Sequence, residues 1–161
     1  MTLGAGTFLG GPDVAPGLYD LTTGSDQSGR FVVHGTDSYD EILGTPGVPK
    51  IRVQISDGDQ IEVWDLSQVV FTPVSTPFVT SHSAVTLYAG TWTVGQDLGP
   101  GRYVATPGSG QRGNLIITSE GVNEVLGGDP TDGGVPSYTF RVQSGDVIEI
   151  TGLAEVTLAP S

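Results

Sequence analysis

No cysteine occurs in the 161 residues of this chain. That excludes disulfides, thiolate metal sites and a cysteine nucleophile. Cations are scarce: six Lys and Arg stand against 18 Asp and Glu, for a formal charge of −12. A surface of that sign repels phosphate backbones, so nucleic acid is not an expected partner. It suits anionic membranes no better. No apolar run approaches the roughly 20 residues that a membrane helix needs. The opening Met1-Thr2-Leu3-Gly4-Ala5-Gly6-Thr7 has neither a basic nor an apolar segment, so no signal peptide is expected. Sustained apolar spacing of three and four is also missing, which predicts almost no helix.

Glycine and proline are abundant instead, at 25 and 11 residues. Both punctuate chains at turns, so many short elements are expected. The chain also repeats itself. Gly6-Thr7-Phe8 returns as Gly90-Thr91-Trp92, and Gly11, Asp13, Pro16, Gly17 and Tyr19 return as Gly95, Asp97, Pro100, Gly101 and Tyr103. Gly24, Gln27, Gly29 and Phe31-Val32-Val33 match Gly108, Gln111, Gly113 and Leu115-Ile116-Ile117. After a slip, Glu41-Ile42-Leu43-Gly44 pairs with Glu124-Val125-Leu126-Gly127, and the second copy carries an extra loop through Gly134. The match resumes at Val48-Pro49 against Val135-Pro136 and runs to Pro73 against Pro160. The predicted organisation is a first module over 1–74, a Ser/Thr-rich linker over 75–87 and a second module over 88–161. Val85-Thr86-Leu87-Tyr88 is read as an exit strand of that linker.

The apolar residues alternate. Ile51, Val53 and Ile55 share one face while Lys50, Arg52 and Gln54 share the other. Phe140 and Val142, Ile61 and Val63, and Ile148 and Ile150 follow the same period of two, the mark of half-buried strands. Strands are expected near 6–9, 17–22, 30–34, 39–43, 49–55, 60–64 and 67–72 of the first copy. Ser56-Asp57-Gly58-Asp59 and Gln143-Ser144-Gly145-Asp146 read as hairpin turns. Ala15-Pro16-Gly17 and Gly99-Pro100-Gly101 read as type II turns. The fold class is therefore all-β: two tandem copies of a small antiparallel sandwich or barrel-like module. A module of about 70 residues is near the lower size limit for independent stability, so the two copies are expected to pack face to face or to lean on a partner.

Few residues suggest chemistry. His34 and His82 have no counterparts in the other copy, and neither comes with a metal-ligand or triad motif, so both read as surface residues. Asp13, Asp59 and Glu62 recur as Asp97, Asp146 and Glu149. Paired carboxylates would suit a glycoside hydrolase, but the aspartates sit at turn signals, where Asx side chains bond local backbone. The loop from Gly127 to Gly134 holds Asp129 and Asp132, too few oxygens for calcium. Gly108 to Gly113 lacks the ending of a phosphate loop and reads as a turn. No catalytic, metal or cofactor residue is assigned. Among the aromatics, Tyr19 and Tyr103 follow Pro-Gly turns and read as core. Trp64 is Thr151 in the second copy, and with Tyr39 it is the candidate partner contact.

The phrases Gly90-Thr91-Trp92-Thr93-Val94-Gly95-Gln96-Asp97-Leu98-Gly99-Pro100-Gly101-Arg102-Tyr103 and Gly145-Asp146-Val147-Ile148-Glu149-Ile150 resemble a small β-domain of Gram-positive and actinobacterial surface proteins and of their bacteriophages. The first copy departs from it at Leu9-Gly10-Gly11-Pro12. The resemblance implies a virion protein made in the host cytoplasm: a capsid decoration protein on the outer capsid lattice, with the major capsid protein as partner and a homotrimer as the assembly. A minor tail protein or a cell-surface module that recognises a host glycan is the rival expectation.

Overall fold

A computed structural model describes residues 1–75 and 78–161. The chain divides into two compact units, Met1–Ser75 and Thr76–Ser161. Among the described residues the regular structure is strand, apart from two single 3₁₀ turns at Thr118–Glu120 and Pro130–Asp132. Among these described residues no helix is long and apolar enough to cross a membrane.

The first unit contains β1 (Thr2–Leu3), β2 (Gly6–Leu9), β3 (Gly17–Thr23), β4 (Ser28–His34), β5 (Tyr39–Gly44), β6 (Lys50–Ile55), β7 (Gln60–Trp64) and β8 (Val69–Pro73). They form two antiparallel sheets, in the orders β1-β8-β3-β6 and β2-β7-β4-β5. The second unit contains β9 (Val85–Leu87), β10 (Gly90–Thr93), β11 (Gly101–Pro107), β12 (Arg112–Ile117), β13 (Val122–Gly127), β14 (Tyr138–Val142), β15 (Val147–Thr151) and β16 (Val156–Pro160). Its sheets run β9-β16-β11-β14 and β10-β15-β12-β13. Counted within its own unit, each strand has the same neighbours in both. This order of eight strands in two sheets is that of a jelly roll.

Register repeats too. Leu3 pairs with Val69 in the first unit and Leu87 with Val156 in the second, the same positions on the 84- and 87-residue offsets of the sequence match. Val85–Leu87 is thus the first strand of the second unit rather than part of a linker. A strand of two or three residues leaves no detectable alternation, which is why sequence reasoning missed β1 and misassigned β9. Thr76 and Pro77 of the expected linker lie outside the described residues. The stretch after them is seated on the second unit: the Val79 N–H bonds the Gly95 carbonyl at 3.0 Å, and His82 Nε2 donates to the Arg102 carbonyl at 2.7 Å.

The period of two sends one face of every sheet inward. Leu21, Phe31, Leu43, Ile51, Ile61 and Phe71 fill the first core, with Phe71 edge-on to both Tyr19 and Phe31. Trp92, Tyr103, Leu115, Phe140, Ile150 and Leu158 fill the second. Each such side chain contributes about 1.5–3 kcal/mol on burial, and this supports modules that lack helices and disulfides.

Two turn assignments are corrected. Gly58 and Gly145 do hold positive φ, at 85° and 95°. The strands they join do not pair, however: β6 and β7 belong to different sheets, as do β14 and β15. These turns carry the chain across the sandwich. Gly17 has φ of 159°, close to extended, so Ala15-Pro16-Gly17 is not a type II turn. The left-handed residues lie upstream at Gly11 and Gly95, with φ of 95° and 94°.

Candidate functional site

The recurring polar residues hold turns. Asp13 Oδ2 accepts from the Leu9 N–H at 2.8 Å, and Asp97 Oδ2 from the Thr93 N–H at 2.8 Å. Asp59 Oδ2 accepts from Ser56 N–H and Asp146 Oδ2 from Gln143 N–H, both at 2.7 Å. Their second oxygens reach the loop after the fourth strand of each unit: Asp59 Oδ1 takes the Thr36 N–H at 3.2 Å, and Asp146 Oδ1 takes the Ser119 hydroxyl at 2.8 Å. Gln27 Oε1 accepts from Ser67 N–H, and Gln111 Oε1 from Glu155 N–H. The Tyr19 and Tyr103 hydroxyls donate to the carbonyls of Ala15 and Gly99, each at 2.8 Å. Side chains already bound to backbone on this scale are structural fixtures.

The other candidates fall into place accordingly. Asp129 caps the Pro130–Asp132 turn by accepting from the Thr131 N–H and hydroxyl, which hold its carboxyl below the usual range. Asp132 lies 3.4 Å from Arg112. Gln111 N–H bonds the Gly108 carbonyl, closing the Gly-rich turn. His34 Nε2 stands 3.7 Å from Glu62, and the His82 ring packs edge-on to Tyr103. Among the described residues no three His, Asp or Glu side chains converge as a metal site would require. Asp146 and Glu149 do line one cleft, of about 250 Å³, with Thr118 and Ser119. Burial pushes the Glu149 carboxyl up, but both Asp146 oxygens are already bonded, one within the turn and one to the Ser119 hydroxyl.

A different kind of surface covers the outward face of the first unit's sheet β2-β7-β4-β5. The register places Leu9 opposite Gln60, Thr7 opposite Glu62, Arg30 opposite Trp64 and Ile42, and Val32 opposite Glu62 and Asp40. Trp64 is 55% exposed, Leu9 47% and Ile42 43%. The polar groups between them are laced together. Arg30 holds Asp40 with both prongs of its guanidinium, which keeps the Asp40 carboxyl below the usual range. Glu62 accepts from the Trp64 indole N–H at 3.1 Å and from the Gln60 amide at 2.7 Å. Beside Trp64 a cleft of about 330 Å³ is lined by Ala5, Gly6, Thr7, Val63 and Asp65. Asp65 holds φ of 58°, where the second unit has Gly152 at 71°.

Trp64 is therefore presented as the sequence suggested, but Tyr39 is not. Tyr39 is 3% exposed and stands on the inward face of β5. Alternation along β5 aims Tyr39 at the core and Asp40 and Ile42 at solvent, so Tyr39 cannot serve as a contact platform. Sequence reasoning missed Leu9 and Ile42, since an isolated apolar residue gains meaning only once register gathers it with others. No protein-family model and no curated protein matches the chain.

Proposed function

We propose that this chain is a non-catalytic structural protein of a bacteriophage particle, a decoration protein that docks on the outer capsid surface. The observation that carries this reading is the outward face of β2-β7-β4-β5, where Trp64, Leu9 and Ile42 stand exposed among paired polar groups. Apolar anchors in a polar frame are the makeup of protein interfaces, and exposed Trp and paired Arg are typical contributors of binding energy. The jelly-roll strand order supports it by analogy alone, since that fold recurs in capsid and lectin domains. The turn duties of the recurring aspartates support a non-catalytic role.

The test is mass spectrometry on separated heads and tails of gradient-purified particles from the source phage. The expected result is many copies in the head fraction. Absence from both fractions would overturn the reading.

The cleft beside Trp64 favours a second reading, a tail or cell-surface module that stacks a host sugar on the indole, with Asp65 of the cleft lining as a hydrogen-bond acceptor. A few copies in the tail fraction, and glycan binding that Trp64→Ala abolishes, are its signature.

A further inference from the structure

The six cations of the chain are not used alike. Arg30 pairs with Asp40, Lys50 and Arg52 with Asp20, and Arg112 with Asp132. Arg102 and Arg141 remain. Among the described residues neither enters an ion pair; instead they stand directly opposite each other on β11 and β14, both exposed. Like charges opposite one another weaken a ladder. The fold does not require them, because the matching pair in the first unit is Leu18 and Gln54 in the same register. With 18 acidic residues in the chain, counter-charges are not in short supply.

The pair also sits beside a free backbone edge. Among the described residues β14 is bonded on one side only, to β11, so its outer edge presents unpaired N–H and C=O groups. The end of this edge opens on a cleft of about 700 Å³ lined by Pro100, Gly101, Arg141, Val142, Gln143 and Ser144. Two carboxylates reach this lining, and both have partners in Gln143: Asp146 takes its backbone N–H and Glu120 meets its amide. A charge on an edge strand discourages aggregation, which accounts for Arg141. It does not account for Arg102, which lies on an interior strand.

We propose that the edge of β14 accepts an extended acidic segment of a partner protein as an added strand, with its carboxylates on the sheet face that carries Arg141 and Arg102. Main-chain bonding along the edge supplies affinity. The two guanidiniums supply selectivity, since each presents a fork that matches a carboxylate. The occupant is identified by charge: two uncompensated cations select an acidic strand over a neutral one. This edge belongs to the second unit and the Trp64 face to the first, so the inference goes beyond the proposed docking on a capsid.

The test is fluorescence anisotropy of a short labelled peptide alternating Thr and Glu, titrated with the full chain at low ionic strength. Saturable binding is expected, weakened about tenfold or more in the double variant Arg102→Gln, Arg141→Gln. Both side chains are exposed, so the variant should keep its thermal unfolding curve. A peptide with Pro at two neighbouring central positions should lose binding, because alternate backbone nitrogens of an added strand face the edge and one of the two must donate. No saturable binding, equal binding by the double variant, or indifference to the proline would each overturn the proposal.

Discussion

The two units agree where the chain turns and differ where it faces solvent. Asp59 and Asp146, and Tyr19 and Tyr103, make the same bonds at the same places, and Gln27 takes the Gln68 N–H where Gln111 takes that of Glu155. On the outward face of β2-β7-β4-β5, by contrast, Trp64, Arg30, Leu9 and Asp40 stand where β10-β15-β12-β13 has Thr151, Asn114, Thr93 and Asn123. Turn clamps and inward side chains are what this jelly roll needs. The outward faces are free to vary, so a difference there reports what each unit does.

The sharpest way to break the comparison is to disturb a position on which both units depend. A Cβ on Gly29 would lie 2.1 Å from the Trp64 carbonyl oxygen, and one on Gly113 would lie 2.1 Å from the Thr151 carbonyl oxygen. Backbone must move to relieve either. Gly29→Ala and Gly113→Ala should each cost about 3 kcal/mol or more in denaturant unfolding, by similar amounts in the two units.

The next substitution separates the units. Asp59 is 2% exposed, whereas Asp146 is only partly buried. Removing the acceptor strands more thoroughly desolvated donors in the first unit. Asp59→Ala should cost about 2–3 kcal/mol and Asp146→Ala about 1 kcal/mol, read from the same unfolding curves.

Tyr103 adds a pH dependence to the second unit. Burial pushes its phenol above the usual value of 10.0, so the fold favours the neutral form. The associated stability is fully present below the unfolded phenol pKa and is lost as pH rises through the raised folded value. An alkaline titration of thermal stability should show that loss, and Tyr103→Phe should remove it at a cost of about 1 kcal/mol at neutral pH.

Asp65 and Gly152 give a gain instead of a loss. Both are left-handed, but only the aspartate carries a Cβ there. Asp65→Gly should stabilise the first unit by up to about 1 kcal/mol. Backbone strain kept beside Trp64 accords with a binding role for the cleft. Trp64→Thr, which copies the second unit, should change stability least, within about 0.5 kcal/mol, while abolishing capsid binding.

Much of this was legible in the sequence. Alternation at Ile51-Arg52-Val53 and the Gly-Asp turns announced strands and their inward faces. The match between copies paired Gly29 with Gly113 and Gln27 with Gln111, and it set Tyr19 and Tyr103 in the core. What the sequence could not supply was pairing. Glycine at 58 and 145 reads the same in a hairpin as in an arch between sheets, and only long-range bonding tells them apart. Arg102 and Arg141 are 39 positions apart in the chain and become neighbours only through the β11–β14 register. Tyr39 was misjudged because β5 sets Asp40 and Glu41 side by side and Ile42 next to Leu43, so its sequence does not alternate and fixes no direction.

The central claim is that the outward face of the first unit docks on the capsid. Hydrogen exchange of the protein, free and bound to purified capsids, tests it most directly. The account predicts new protection on β2, β7, β4 and β5, centred on Trp64, with the matching strands of the second unit unchanged. Protection confined to the second unit, or none on the Trp64 face of a chain that demonstrably binds, would contradict it.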